Sequence, residues 1–266
     1  MKRKNRILLG GFVFVFLLGA YGMLVEPNFL QTRELSPSVT GVPKPQGVRV
    51  VFFADLHMGK WRGFHERLLQ RIADVKPSLI LFGGDALSRF TDVSDLKRFF
   101  SALSEICPVY AIFGNWEEYA PVHMRKRYEE LDVNLLEMES TVVHVDGMRI
   151  GLTGLESHQF FPRTTFLSPD VPTDYRILLV HAPNHLEQYP EVLDGFDLVL
   201  SGHTHGGQLF FPGLSRWISE TAQGTSYTFF RGAYRLGHTG IFVTKGVGQW
   251  FPFRLFSAPE LCWFTL

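Results

Sequence analysis

Short apolar runs alternate with helix-patterned segments in the first half of this 266-residue chain, and this alternation restricts the possible folds most strongly. The runs are Val48–Ala54, Leu79–Phe82 and Val109–Phe113, each of strand length. Apolar residues at helical spacing lie between them at about 64–75 and 93–106, and a further helix is predicted at about 121–131. Strand–helix–strand order pairs the strands in parallel, so the pattern predicts a parallel sheet with right-handed crossovers.

The second half of the chain is richer in strands. Asp146-Gly147 between two alternating runs predicts a hairpin of residues 141–145 with residues 148–153. Further strands are predicted at 176–180, 197–200, 241–244 and 261–266, with a helix around 186–193. The segments at about 156–175 and 212–239 are predicted to be long loops, which in compact domains are often functional.

Composition excludes several classes of function. Apolar residues make up 45% of the chain and charged residues 20%, which is enough for a sizeable core and argues against disorder. Four of the 26 basic residues lie within residues 2–6, before the first acid Glu26, so the remainder carries 22 basic against 26 acidic residues. A body with this excess of acidic residues lacks the basic surface that proteins use to bind nucleic acid. Two cysteines, Cys107 and Cys262, exclude a disulfide-dense scaffold and a Cys-rich zinc site.

Residues 7–25 form an uninterrupted run without a charge, long enough to cross a bilayer core of about 30 Å as a helix. Residues 1–25 are therefore predicted to be a membrane anchor; a signal peptide cleaved near Ala20-Tyr21-Gly22 and a buried helix are the alternatives. The basic cluster ahead of the run places the body on the outer, periplasmic side, with the cytoplasmic face left open. Four prolines predict an extended linker over residues 26–46, followed by one domain over residues 47–266.

Residues that bind metals well follow the predicted strands directly. They are Asp55, His57, Asp85, Asn115, His181, His203 and His205. Because ligands bind beyond the carboxyl ends of parallel strands, these side chains are expected at one edge of the sheet. Imidazole, carboxylate and amide groups suit manganese, iron or zinc. Seven ligands exceed the needs of one ion but serve two ions, which form a clamp for displacement at phosphorus.

The same residues resemble the five-block signature of the calcineurin-like metallophosphoesterases. The blocks are Asp55-x-His57, Gly84-Asp85, Gly114-Asn115-x-Glu117, His181 and Gly202-His203-Thr204-His205. A finer resemblance is to bacterial membrane-associated members, which include phosphodiesterases and UDP-2,3-diacylglucosamine pyrophosphatases of lipid A synthesis. It rests on the apolar N-terminal segment, Gly206-Gly207-Gln208, Gly246-Val247-Gly248 and Pro259-Glu260.

The resemblance implies a four-layer α-β-β-α sandwich with a dinuclear metal site at the carboxyl edge of its strands. One implied site comprises Asp55, His57, Asp85 and His205, and the other comprises Asp85, Asn115, His181 and His203. Asp85 would bridge two divalent ions, with manganese, iron or zinc as candidates, and a bridging hydroxide would attack phosphorus. The implied catalytic residues are Asp55, His57, Asp85, Asn115 and His203.

Trp116 departs from the family pattern, in which many members carry a histidine thought to protonate the leaving oxygen. An indole N–H is not a general acid near neutral pH. His123, His158 and His185 are candidates to replace it, and the long loop around His158 favours that residue. Without an acid, pyrophosphates or activated aryl diesters are favoured over simple alkyl esters, because a phosphate monoester is a good leaving group unaided.

Cations and aromatic residues in loops predict the remaining substrate contacts. Lys60, Arg62, Arg163 and Lys245 are candidates to bind phosphate or headgroup oxygens, beside Trp116 and His158. Loop aromatics predict either ordinary packing or an apolar surface for acyl chains or the bilayer; they are Trp61, Phe64, Phe160, Phe161, Phe166, Phe210, Phe211, Trp217, Trp250, Phe251 and Phe253.

Together these features predict a monomeric, membrane-tethered phosphohydrolase that acts on a lipid-linked substrate such as UDP-2,3-diacylglucosamine and has no nucleic-acid partner. Cytoplasmic synthesis of that nucleotide-linked lipid conflicts with a body outside the cytoplasm. Two alternatives stay open: a broad phosphodiesterase acting on small diesters, and a non-catalytic scaffold of the same fold.

Overall fold

The computed structural model describes residues 3–42, 45–117, 121–155, 171–184, 186, 190–212, 214–223 and 227–266. Within these residues, strands form two six-stranded sheets. The strands are β1 Gln31–Glu34, β2 Arg49–Phe53, β3 Leu79–Phe82, β4 Val109–Ala111, β5 Val133–Leu135, β6 Glu139–Val145, β7 Met148–Leu155, β8 Tyr175–Val180, β9 Leu198–Ser201, β10 Gly232–Leu236, β11 Thr239–Val243 and β12 Glu260–Thr265. The α-helices are α1 Arg3–Ala20, α2 Pro37–Thr40, α3 Gly63–Val75, α4 Val93–Ser104, α5 Pro121–Glu130, α6 Pro190–Leu193 and α7 Ser215–Gln223.

The first sheet has the strand order β1-β12-β2-β3-β4-β5. Strands β2 to β5 pair in parallel, and β12 joins β2 in the antiparallel direction. The predicted strands in this half are confirmed as β2, β3 and β4. Helix α4 begins where Asp92 accepts hydrogen bonds from the backbone N–H groups of Ser94 and Asp95. Helices α3 and α4 bury their apolar faces, including Leu68 and Phe99, on the sheet's outer side.

The second sheet has the strand order β10-β11-β9-β8-β7-β6. The predicted hairpin is confirmed as β6 and β7, with Val145 opposite Met148. Asp146 and Gly147 have φ angles of 47° and 87°, the left-handed values that a two-residue hairpin turn requires. Strands β7, β8, β9 and β11 pair in parallel, so the carboxyl ends of β8 and β9 lie at one edge.

The inner faces of the two sheets pack against each other and form the central core. Val50 and Phe52 of the first sheet share a cluster with Leu152 and Leu179 of the second. Helices α3, α4 and α5 cover the outer face of the first sheet, and a smaller apolar cluster that includes Leu193 of α6 covers the second. The predicted four-layer α/β arrangement is confirmed.

Residues 26–46 differ from the extended linker that their prolines predicted. Strand β1 pairs with β12, and Leu35 and Val39 are buried in the central core. Pro37 occupies the first turn of α2, where its missing N–H costs no helical hydrogen bond. Prolines in this segment therefore accompany packed structure.

The predicted loop at 212–239 also differs from the structure, because it contains α7 and β10. The helix predicted around 186–193 is found as the short α6 within the described residues. Of the other predicted loop, residues 156–170 lie outside the described residues.

The apolar N-terminal run forms α1, which continues through a π-helical turn at Tyr21–Val25 and a 3-10 turn at Glu26–Asn28. Among the described residues, the helical stretch Ile7–Asn28 is long and apolar enough to cross a membrane, with a mean hydropathy of 2.3 over its most apolar window. Only 6% of that window is buried against the rest of the chain. Its length and composition fit both a membrane anchor and a signal sequence.

Candidate metal centre

Loops that follow five strands meet at one edge shared by the two sheets. The structure brings together all seven predicted ligands there: Asp55 and His57 after β2, Asp85 after β3, Asn115 after β4, His181 after β8, and His203 and His205 after β9. Six of them form two groups, Asp55–His57–His205 and Asp85–His181–His203, and within each group the ligand atoms lie within 4.8 Å of one another. The Asn115 Oδ1 atom lies 2.9 Å from His203 Nδ1 and 3.2 Å from His181 Nε2, so Asn115 joins the second group.

The first group is defined by two histidines whose rings stack at 5.0 Å between centroids. Nε2 of His57 lies 3.1 Å from Nε2 of His205. Nδ1 of His57 lies 2.9 Å from the carbonyl oxygen of Leu87 and donates its hydrogen there. This bond leaves Nε2 of His57 with a lone pair that points at the group's centre, as in a metal-binding histidine.

In the second group as well, a histidine ring donates a hydrogen bond to a backbone carbonyl oxygen. His181 donates from Nδ1 to the carbonyl oxygen of Gly83 over 2.7 Å. Its Nε2 is therefore unprotonated in the neutral ring and lies 3.2 Å from His203 Nδ1. In their neutral forms, His57 and His181 thus each turn Nε2 toward a carboxylate oxygen of Asp85.

Asp85 lies between the two groups. Its Oδ2 atom is 3.4 Å from Nε2 of His57 and 3.4 Å from Nε2 of His181. Its Oδ1 atom accepts a hydrogen bond of 2.9 Å from the backbone N–H of Trp116, which fixes the carboxylate plane. One carboxylate oxygen is therefore within reach of both groups, the position that a bridging ligand requires.

The donor set fits two divalent cations. Carboxylate and amide oxygens and unprotonated imidazole nitrogens are electron-pair donors, and here they converge within 4.8 Å of one another in each group. Such close convergence of donors in largely buried surroundings is what a bound cation requires. Mixed oxygen and nitrogen donors match manganese, iron and zinc alike.

Burial and neighbouring charge shift the pKa values of these groups. Burial raises the pKa of Asp55 to about 7, although His181 opposes the shift. Burial also acts to raise the pKa of Asp85, but the charges of His181 and His57 outweigh it and lower the pKa to about 2. Burial lowers the pKa of both His57 and His205 and keeps these rings neutral, the form that binds metals. For His181, Asp85 overcomes burial and raises the pKa to about 10, so this position attracts positive charge.

The backbone at this edge is strained. Five of the seven candidate ligands have left-handed φ angles between 39° and 68°; they are Asp55, His57, Asp85, His203 and His205. Such conformations cost roughly 1–3 kcal/mol per non-glycine residue and persist where the surrounding fold enforces them. Gly114 permits the close approach of two loops, because a side chain there would overlap Oδ1 of Asp85. The sequence shows the glycine but not the strain.

The carboxylate of Glu117 holds together the loops that follow β3 and β4. Glu117 was not among the predicted site residues. Its buried carboxylate accepts four backbone N–H bonds of 2.7–3.0 Å, from Asp85, Ala86, Leu87 and Gly114. Burial and the charge of Asp85 raise its pKa to about 7, while the backbone donors act in the opposite direction. Its place in the fourth position of the Gly114-Asn115-x-Glu117 block was the available signal.

A cavity of about 580 Å³ opens beside the first group. His57, Trp116 and Arg254 line its inner part, and the Trp116 ring meets His57 edge-on at 5.4 Å between centroids. The predicted substrate contacts Lys60 and Arg62 line its wall. A third exposed cation, Arg89, lines it as well and was not predicted. The signal for Arg89 was its position four residues after Asp85, in the loop that follows β3.

Of the remaining predicted contacts, Lys245 is described by the structure and lies elsewhere. Lys245 is buried, and its Nζ atom binds Gln31 at 2.7 Å and Glu260 at 3.4 Å, away from the described lining of the cavity. This cation therefore helps to hold β1 against β12. His123 is exposed on α5. His158, Arg163, His185 and the aromatics Phe160, Phe161 and Phe166 lie outside the described residues.

A sequence model of calcineurin-like phosphoesterases matches residues 48–207, which span β2 to the turn after β9 and contain every candidate ligand. The chain belongs to the calcineurin-like phosphoesterase family. This result confirms the predicted superfamily. The family uses dinuclear divalent metals, in agreement with the two groups of ligands.

Curated relatives extend the match beyond this domain. An uncharacterized metallophosphoesterase of Campylobacter jejuni is 30% identical over 88% of this chain and 63% of the relative's own length, so the chain spans less than two thirds of it. The phosphodiesterase YaeI of Escherichia coli is 29% identical over 80% of each chain. The UDP-2,3-diacylglucosamine pyrophosphatase LpxG of Chlamydia muridarum is 24% identical over 90% of this chain and 89% of that protein.

Proposed function

We propose that this member of the calcineurin-like phosphoesterase family is a hydrolase that cleaves a phosphodiester or pyrophosphate bond in a lipid-linked substrate at a membrane. The observation that carries the proposal is the path of the cavity. It runs from His57 and Trp116 at the candidate metal centre to Met23 and Pro27 at the end of the apolar N-terminal helix. A single cavity would then connect a phosphate at the metal centre with the segment that is proposed to enter the bilayer.

The seven ligands would hold two cations. Asp55, His57, Asp85 and His205 would bind one, and Asp85, Asn115, His181 and His203 the other. When bound, such a pair neutralises phosphate charge and acidifies water to give a nucleophile near neutral pH. The ring hydrogen bonds to Leu87 and Gly83 hold two of the imidazoles in the tautomer this binding needs.

Side chains of the cavity supply substrate binding and orientation. Lys60, Arg62 and Arg89 present exposed cations on its wall, suited to phosphate or headgroup oxygens. Arg254 is buried, and its guanidinium donates to the carbonyl oxygens of Lys245, Gly246, Gly248 and Ser257. These bonds fix Arg254 beneath the cavity, where its charge faces the anionic substrate.

The names of two relatives support hydrolysis of this kind. One relative is a phosphodiesterase and the other is a pyrophosphatase of a lipid-linked nucleotide. The lipid-linked substrate is favoured by the cavity's apolar and aromatic lining, which includes Phe90 and Trp250. A phosphodiesterase acting on small diesters is the second candidate, supported by the similarity to the Escherichia coli enzyme.

The proposed protein is a monomer anchored by α1, with its body on the outer side because the basic residues precede the apolar run. A topology reporter fused after Leu266 tests this placement: activity of a periplasmic reporter is expected, and activity of a cytoplasmic reporter would reverse it. A cytoplasmic body would suit a nucleotide-linked lipid, and an outer body suits other lipid phosphates.

The substrate is tested with full-length protein in detergent micelles, supplied with manganese, iron or zinc. Aryl diesters, alkyl monoesters and lipid diphosphates are compared by kcat/KM. Lipid diphosphates are expected to be hydrolysed best, and Arg62→Ala should raise KM for them more than Arg71→Ala, which changes an exposed arginine of α3 away from the cavity. Equal KM values for the two variants, or preference for small diesters, would contradict the lipid assignment.

A further inference from the structure

We propose that an apolar collar around the base of α1 lies in the bilayer interface, so that the catalytic cavity opens directly at the membrane surface. The apolar collar consists of Phe211, Leu214, Trp217, Ile218, Trp250, Phe251 and Phe256. The proposal rests on the anchoring of α1 proposed above and is independent of the substrate's identity.

Every side chain of the apolar collar is exposed, with exposed fractions from 37% to 61%. Single exposed apolar residues are ordinary on protein surfaces, but a contiguous cluster of this kind marks an interaction site. Two of its members are tryptophans, whose amphipathic rings concentrate at membrane–water interfaces. The composition of the apolar collar is therefore that of a membrane-facing surface.

Helix α7 carries part of the apolar collar on one face. Leu214, directly before α7, and Trp217 and Ile218 within it have the spacing of neighbours on a helical surface, and all three are exposed. Ser215 is buried, and its hydroxyl group donates to the carbonyl oxygen of Phe211 over 2.9 Å. The helix thus turns its small polar residue toward the body and its large apolar residues outward, as an interfacial helix does.

The loop at residues 250–256 carries Trp250, Phe251 and Phe256 and contacts Phe210 and Phe211, which precede α7. The ring of Phe256 packs against the ring of Phe211 at 5.8 Å between centroids. The backbone N–H of Phe210 donates to the carbonyl oxygen of Leu255 over 2.7 Å. The two parts of the apolar collar therefore form one continuous surface.

The base of α1 is attached to this same loop. The backbone N–H of Arg254 donates to the carbonyl oxygen of Gly22 over 2.9 Å. The carboxylate of Glu26 accepts hydrogen bonds from the backbone N–H groups of Phe256 and Ser257. Gly22 also packs so tightly on the Phe253 ring that a side chain at this position would overlap it. These contacts fix α1 so that it leaves the body beside the apolar collar.

The attachment of α1 indicates that a bilayer covers the apolar collar. The large side chains of α1 between residues 7 and 17 are 44–71% exposed, so the body does not bury them and a bilayer would. Since α1 leaves the body beside the apolar collar, a bilayer that surrounds α1 also reaches that surface. Met23, Trp250 and Pro252 of this region line the cavity, so an amphiphile could present its phosphate to His57 while its apolar part stays in the membrane.

Quenching of tryptophan fluorescence tests this placement. Full-length protein is reconstituted into vesicles of phosphatidylcholine with or without brominated acyl chains, which quench only tryptophans in the bilayer. The Trp217→Phe/Trp250→Phe double variant is expected to lose at least half of the lipid-dependent quenching. Trp263→Phe, which changes a partly buried tryptophan of β12, is the matched control and should retain it. Quenching unchanged in the double variant would place the apolar collar outside the bilayer and overturn the proposal.

A second variant distinguishes contact of the apolar collar with the membrane from a role in folding and from binding of a protein partner. Trp217→Asp/Ile218→Asp should keep hydrolysis of a soluble aryl diester and lower turnover of the same phosphate headgroup presented in vesicles by at least about ten-fold. Equal loss on both substrates, or a dimer in sedimentation that the double variant dissociates, would overturn the membrane assignment. The quenching measurement needs no substrate, so its failure is distinct from a failure of the proposed hydrolysis.

Discussion

The carboxylate of Glu26 accepts a hydrogen bond from the backbone N–H of Ser257, with an O···N distance of 2.6 Å. The Ser257 hydroxyl group donates in turn to the carbonyl oxygen of His205 over 3.0 Å. Glu26 is only 3% exposed although it follows the apolar N-terminal run directly. Two hydrogen bonds therefore connect the base of the N-terminal helix to a candidate metal ligand.

Replacing Glu26 should weaken both the fold and the first metal group. Glu26→Ala leaves the backbone N–H groups of Phe256 and Ser257 without their acceptor, which costs about 1–3 kcal/mol in free energy of unfolding. Urea unfolding of detergent-solubilised protein measures this change, and metal content after dialysis measures the effect on His205. Glu34→Ala, at the exposed end of β1, is the control and should change neither. Equal behaviour of the two variants would refute a structural role for Glu26.

Asp85→Asn should abolish dinuclear binding more completely than any other single change of a ligand. An amide lacks the charge needed between two cations, and Asp85 is the carboxylate placed near both groups. Elemental analysis is expected to give two metal ions per chain for the wild type and at most one for the variant, with activity lost. Asp74→Asn on the exposed side of α3 is the matched control. One metal or none in an active wild-type preparation would contradict the dinuclear mechanism.

The sequence predicted the parallel strands and the meeting of all seven candidate ligands at one edge, because both depend on local patterns. Buried strands such as β3 are continuous apolar runs, and polar residues directly after them must lie at the sheet edge. The packing of Glu26 at the start of the predicted linker and the place of Lys245 were missed for the opposite reason: their partners Ser257 and Gln31 are distant in sequence, and pairing over such distances leaves no local signal. The amphipathic α7 was missed because its apolar face points outward and lacks the usual partner in a core.

Glu117→Ala should disorder the loops after β3 and β4. Loss of the carboxylate leaves four backbone N–H groups without an acceptor, so the free energy of unfolding should fall by at least about 3 kcal/mol. Glu117→Gln keeps the shape and one good acceptor oxygen and should lose about half as much. Calorimetric unfolding orders the three proteins, and metal affinity should follow the same order because the backbone N–H of Asp85 donates one of the bonds. If Glu117→Gln is as stable as the wild type but no longer binds metal, then Glu117 acts on the site through its negative charge and not through its hydrogen bonds.

His65 should make stability sensitive to acid. Burial, assisted by the charge of Arg62, lowers its pKa from 6.5 to about 4, and Asp95 opposes this shift. Nδ1 of His65 accepts the backbone N–H of Arg62 at 3.0 Å, which only the unprotonated ring does. The folded-state pKa lies below the unfolded value, so the contribution of His65 is complete above pH 6.5 and is lost as the pH falls toward 4.

His65→Gln isolates this effect, because both proteins share every other titrating group. The stability advantage of the wild type over the variant should be smaller at pH 5 than at pH 7, by about 2 kcal/mol. Urea unfolding at the two pH values measures it. A constant difference between the proteins would mean that His65 keeps the same protonation in the folded and unfolded states.

Trp116 should make turnover depend on the leaving group. Its ring lines the cavity edge-on to His57, where the family resemblance places a proton-donating histidine. General acid catalysis is worth about 10²–10⁴-fold for an alkoxide leaving group, whereas a phosphate monoester with a pKa of about 6 leaves unaided. Trp116→His should therefore raise turnover of alkyl esters by at least about ten-fold and change pyrophosphate turnover little.

A series of substrates with graded leaving-group pKa values decides whether Trp116 or another residue governs proton transfer. A steep dependence in the wild type that becomes shallow in Trp116→His is the expected result. His158, which the sequence offers as a substitute acid, is tested by His158→Ala in the same series. If the wild type shows a flat dependence that turns steep in His158→Ala, then His158 supplies the proton. Trp116 would in that case act only as a wall of the cavity, and the preference for pyrophosphates would lose its chemical basis.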